Sequence, residues 1–255
     1  QGTLDWIDGL TVPEMIDLTG SSETRMSLLP LATKVLKQVL ARIAPKEIYF
    51  SSYGLREGLL YERMPDEVRR LDPMLEACRY SEQSSARFPG FGDHLADWLM
   101  PLFPDEAEHR LIRAACLLHD VGWRAHPDYR AELSFENATR ANLGGLDHRG
   151  RLILSLALHY RYKSQSPSGL SQTMYSPLPA EDWKMAELQG RATRFGALLS
   201  GQGLKTLGRL ALTDSALEVQ LNESDEDLFG EVVRKRMEAV AKMIGVSAEV
   251  SYAAG

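Results

Sequence analysis

The residues best suited to chemistry are a His-Asp pair at the end of an apolar run, Leu117-Leu118-His119-Asp120-Val121-Gly122. An adjacent imidazole and carboxylate can hold a metal ion that activates water for attack on a phosphoester. The alternative is a hydrogen-bonded core cluster in which His119 and Asp120 join helices. A second candidate is Ser51-Ser52-Tyr53-Gly54-Leu55-Arg56-Glu57-Gly58-Leu59-Leu60-Tyr61. If a strand feeds a helix here, unpaired N–H groups and the helix dipole make an anion site. Gly54 and Gly58 allow close approach of a ligand or backbone. Arg56 presents a planar fork of donors suited to phosphate oxygens. Alternatively Arg56 pairs with Glu57 or another acid, and the glycines serve packing. A third group, Arg149, Arg151, His159, Arg161 and Lys163 with Tyr160 and Tyr162 interleaved, could form a basic lining around one helix and its end. The same residues equally suit a solvated helix end, where cations complement the dipole. His109, His126 and His148 have no recognisable partner spacing, and Arg234-Lys235-Arg236 reads as a solvated face.

The elements that must position these groups are mostly helical. Val12-Pro13-Glu14 and Ser21-Ser22-Glu23 read as helix starts. Leu31, Val35, Leu36, Val39, Leu40 and Ile43 follow amphipathic spacing over 29–43. Glu47-Ile48-Tyr49-Phe50 reads as a short strand, followed by a helix over 54–61. Helices are expected over 93–103, 105–118, 130–142, 149–159 and 180–199, with another opened by Asp72-Pro73-Met74 and Asp72 as N-cap. A run of helices with short links suggests a bundle. A polar loop covers 164–179. Near the end, 207–212 and 216–221 read as strands, the second alternating Leu217, Val219 and Leu221 with Glu218 and Gln220. A helix over 225–244, with a stripe of Leu228, Val232, Met237, Val240 and Ile244, precedes a possible third strand over 246–253.

Composition bounds the classes. The chain has 255 residues, 44% hydrophobic and 25% charged, with a net charge of -6. That suits a folded protein with a real core and not a disordered one. An acidic average argues against a dedicated nucleic-acid binder yet leaves room for a local basic patch. No apolar run of about 18 residues suggests a membrane span. Two cysteines, Cys78 and Cys116, cannot form a disulfide framework, which fits a reducing cytoplasm. The first residue is not Met and no signal peptide is evident. The expectation is therefore a piece of a longer protein.

The stretch Ser-x-x-Gly-Leu-Arg-Glu-Gly-Leu-Leu-Tyr at 51–61 resembles a signature near the end of the second actin-like lobe in the exopolyphosphatase / guanosine pentaphosphate phosphohydrolase family. Glu23-Thr24-Arg25 and Leu28-Leu29-Pro30-Leu31-Ala32 agree with it. The resemblance is close over about residues 12–62 and looser beyond. It implies a mainly helical chain in three parts. These are the end of an actin-like α/β lobe over 1–64, an HD-like helical bundle over 65–199 and a small α/β domain over 200–255. It implies a parent enzyme that hydrolyses terminal phosphates of polyphosphate with Mg, whose catalytic loops lie before Leu4. This portion would then bind polyphosphate, dimerise, or both. Its phosphate-binding residues would be Gly54, Arg56, Glu57, Gly58, Arg161 and Lys163. The His119-Asp120 pair is similar to that of HD phosphohydrolases, where an earlier His and a later Asp complete the metal set, here His94 and a helix of form Arg-x-Ala-Asp. The corresponding stretch, Gly190-Arg191-Ala192-Thr193-Arg194, has no Asp. A metal at His94, His119 and Asp120 would thus be vestigial. An autonomous HD-type nucleotide phosphohydrolase and a non-catalytic interaction module are the alternatives.

Overall fold

Proline and short acceptor side chains set the helix starts. Thr11 and Glu14 form a capping box at the start of the helix over Val12–Thr19, and Asp72 accepts from the N–H groups of Met74 and Leu75 at a Pro73 start. Such caps satisfy N–H groups that have no partner within the helix. A computed structural model describes residues 2–49, 51, 53–168, 178–200 and 208–253. The described chain is mainly helical with a small three-stranded sheet near its C-terminal end. It forms two units, 1–60 and 61–255.

The first unit holds α1 (Gly2–Asp8), α2 (Val12–Thr19), α3 (Glu23–Met26), α4 (Leu29–Ile43) and most of α5 (Leu55–Glu62). Lys37 on α4 binds Asp5 and Asp8 of α1. The apolar stripe of α4 is split: Thr33 is buried, whereas Leu31, Val35, Val39 and Ile43 face solvent. The strand expected over 47–50 is absent at residues 47–49, and Phe50 lies outside the described residues. A strand needs a neighbour to satisfy its backbone groups, and this unit supplies none among its described residues.

The second unit begins with α6 (Asp66–Arg69), α7 (Pro73–Ser85), α8 (Phe91–Leu99), α9 (Glu106–Leu118), α10 (Arg130–Arg140), α11 (His148–Tyr162) and α12 (Ala180–Leu199). The helix α11 is its centre, buried on all sides from Leu152 to Tyr160. Gly190 lets α12 lie directly against it, since a Cβ there would fall 2.3 Å from the carbonyl oxygen of Ala157. Part of the loop expected over 164–179 lies outside the described residues.

β1 (Arg209–Leu212) and β2 (Ala216–Asn222) form an antiparallel pair, and β3 (Ser247–Ala253) adds parallel to β2 after α13 (Glu231–Ile244). Leu207, the expected first residue of β1, lies outside the described residues. The helix expected from 225 begins instead at Glu231, after a 3-10 turn over Glu223–Leu228. Its buried stripe is accordingly Val233, Met237, Val240 and Ala241, with Val232 and Leu228 exposed. Residues of α8, α9, α12, β1, β2 and α13 share one core, so the sheet and the bundle form a single unit.

Candidate anion-binding site

The His-Asp pair ends α9 at the middle of the second unit, and both residues are buried, His119 at 6% exposure and Asp120 at 4%. His119 Nδ1 lies 2.6 Å from the carbonyl oxygen of Cys116 and serves as its donor, and the ring stands edge-on to Phe91. Burial first, and then the Arg161 cation, push its pKa down to about 4. The imidazole is therefore neutral near pH 7.

Asp120 is held by a guanidinium. Arg87 Nε donates to its Oδ2 at 2.9 Å, Arg87 Nη2 to its Oδ1, and the Arg87 backbone N–H to Oδ2 at 3.1 Å. Burial opposes ionisation of Asp120, but these bonds outweigh it and leave the carboxyl below its usual range. The guanidinium in turn lies over the Trp123 ring. His94, on α8, is exposed, and no group of three or more His, Cys, Asp or Glu among the described residues is arranged to hold a metal. A dication does not fit these residues: the carboxylate is already neutralised by Arg87, and Arg161 repels positive charge at the imidazole.

Arg161 is the exception among the residues expected to line a basic path. Arg149 forms a bidentate pair with Asp182, Arg151 donates to the Ala138 and Ala141 carbonyls, His159 contacts the Gln165 carbonyl, and Lys163 pairs with Glu132. The arginines and Lys163 join α11 to its neighbouring helices, and His159 holds the segment that follows α11. Arg161 has a cation–π contact with Tyr162 at 5.0 Å, but its Nε is buried with no hydrogen-bond partner. Arg194 of α12 donates to the Tyr162 carbonyl at 3.1 Å. Burial and then the cations of Arg236, Arg161 and Arg191 lower its pKa to about 10. The Nε of Arg236, on α13, is also buried and unpartnered. The structure thus corrects the reading of Arg234-Lys235-Arg236 as a solvated face: Arg234 and Lys235 are exposed, while Arg236 turns inward. Arg236 lies four residues from both Val232 and Val240 of the expected apolar stripe, and that spacing was the signal for its inward face.

The first-unit candidates are arranged differently. Arg56 Nε and Nη2 donate to Glu57 Oε1, and Glu57 Oε2 accepts the Gly54 N–H at 2.9 Å. Glu57 closes the first turn of α5, and its carboxyl is lowered by Arg56 and by backbone N–H groups. The space beside Gly58 is open. Gly54, Arg56, Glu57 and Gly58 therefore form one short exposed turn. Both cysteines are buried free thiols, pushed up to about 12 by burial, and so are poor nucleophiles.

These features define a helical domain with a buried His-Asp pair and guanidinium groups where a metal would sit. Residues 85–251 match the sequence model for the C-terminal region of exopolyphosphatase, and the chain belongs to that family. It is similar to retrograde regulation protein 2 of Saccharomyces cerevisiae, with 31% identity over 166 residues. That match covers 61% of this chain and 26% of the relative, so the chain spans about a quarter of that protein's length.

Proposed function

We propose that this chain is the C-terminal portion of an exopolyphosphatase-type protein and that its helical domain holds polyphosphate without hydrolysing it. The observation that carries this reading is the Arg87–Asp120 pair. It puts a permanent cation on the carboxylate that a metal-dependent hydrolase would need for its metal, and it speaks against an autonomous HD-type phosphohydrolase. Arg161, on the same buried patch, supports attraction of anions.

Residues 1–64 are read as the end of an actin-like lobe. The exposed Leu31, Val35, Val39 and Ile43 stripe of α4 supports this, because such a helix normally covers a sheet. The turn at Gly54, Arg56, Glu57 and Gly58 would face the phosphate site of that lobe, where Mg would supply Lewis-acid chemistry. Dimerisation and a cytoplasmic location belong to the same proposal. No helix among the described residues is long and apolar enough to cross a membrane.

Retention of labelled polyphosphate on a filter, alongside phosphate release with Mg present, tests the reading. Retention without release is the expected result. Robust release by these 255 residues, lost on His119→Ala, would favour the metal-hydrolase alternative.

A further inference from the structure

The N-terminal ends of α9, α11 and α12 meet around a recess of about 430 Å³, in the size range of small-ligand pockets. The acids Asp105, Glu108, Asp147, Glu181 and Asp182 line it, against the cation of Arg149. Capping and pairing account for three of these acids. Asp105 accepts the Ala107 N–H at 2.9 Å, Asp147 accepts the Gly150 N–H at 2.7 Å, and Asp182 holds Arg149. The side chains of Glu108 and Glu181 hold no hydrogen bond or ion pair among the described residues. Burial and then the neighbouring Asp105 push the Glu108 carboxyl up, the direction expected of an acid without a cation.

Gln189 lines the same recess from α12 and is fully buried, at 0% exposure. Neither its Oε1 nor its Nε2 has a hydrogen-bond partner among the described residues. An amide buried in this way is costly unless a partner arrives from outside the chain. Such an amide calls for a donor and an acceptor side by side, which a peptide group offers and an ammonium alone does not. The free acids call for positive charge. No group of three or more His, Cys, Asp or Glu among the described residues is arranged to hold a metal, so the acids suit a larger cation. Leu111, Ile153 and Met185 give the recess an apolar wall, which fits the methylene stem of a lysine.

We propose that this recess docks a lysine-bearing peptide segment of a partner protein, with its ammonium groups on Glu108 and Glu181 and a peptide group on the Gln189 amide. The site stands apart from the polyphosphate reading, because an acidic recess repels a polyanion. Either can fail without the other.

The test is calorimetric titration of the full chain at low ionic strength with trilysine, acetylated and amidated at its ends, and separately with spermidine. The two ligands carry the same charge, and only trilysine has peptide groups. The titrations are repeated on Gln189→Met, Glu108→Gln and the control Glu218→Gln, which is exposed on β2. Trilysine is expected to bind saturably and about tenfold or more tighter than spermidine, from its hydrogen bonds to Gln189. Gln189→Met should remove that advantage and leave spermidine unchanged. Without ligand it should melt no lower than the parent, because it replaces an unmet buried amide by an apolar side chain of similar length. Glu108→Gln should weaken both ligands about tenfold, the loss of one charge-assisted bond, while Glu218→Gln changes neither. No binding of trilysine, or an affinity unchanged in both Gln189→Met and Glu108→Gln, overturns the site. Equal affinity of the parent for trilysine and spermidine overturns the peptide as its ligand. A lower melting temperature of Gln189→Met with unchanged trilysine affinity makes Gln189 a structural residue and overturns its role in docking.

Discussion

His119 shows how one residue can carry information on pH. Its neutral form is enforced by burial and by Arg161, with Asp120 opposing and Arg87 adding to the effect. A folded-state pKa of about 4 against an ordinary 6.5 means that the unfolded chain binds more protons between those values. The stabilisation is complete above about pH 6.5 and is lost as pH falls toward 4, with a ceiling of about 3 kcal/mol. Urea unfolding at pH 7 and pH 5 should show this loss in the parent and a flatter response in His119→Gln. Asp120 is held ionised instead, so removal of its partner leaves a buried charge. Arg87→Ala should cost about 3 kcal/mol in the same assay. A loss under 1 kcal/mol would mean that water replaces Arg87 freely. The His-Asp pair was legible from the sequence because its residues are adjacent. Its partner Arg87, 33 residues away, was not, because nothing local marks which arginine a fold will turn inward.

At the scale of elements, the contact between α11 and α12 decides whether Arg194 reaches the Tyr162 carbonyl. Gly190 sits at that crossing, where an added Cβ would also lie 2.7 Å from Tyr160 Cβ and 3.0 Å from the Arg161 backbone nitrogen. Gly190→Ala should destabilise the chain by about 1–3 kcal/mol in chemical denaturation. The helix limits over 29–43 were readable, since a proline start and an amphipathic period agree there. The phase of α13 was not. Gly230 restarts the helix after a 3-10 turn, and the buried stripe runs through Val233 and not Val232. The expected strand over 47–50 shows the converse: β-prone residues without a paired neighbour do not make a strand.

For the whole molecule, the division at residue 60 separates a cored unit from one in which many large apolar side chains stay exposed. The second unit should therefore carry the cooperative transition. Calorimetry on a chain lacking residues 1–60 should find a melting temperature within about 2–4 °C of the parent, the shift that 1 kcal/mol produces at this size. A collapse of the transition would show that the first unit is integral to the core. The separate character of the sheet region was only half legible. Its alternating strands were evident, but a core shared with α8, α9 and α12 depends on long-range packing that no local pattern records.

The central claim is that a metal-type centre has become a guanidinium-lined anion site. Calorimetric titration of polyphosphate into the full chain at low and at physiological ionic strength tests it most directly. Saturable binding that weakens steeply as salt rises, and that needs no divalent metal, is the predicted result. Absence of binding at low salt, or binding that appears only with a stoichiometric divalent metal at His119, would contradict it.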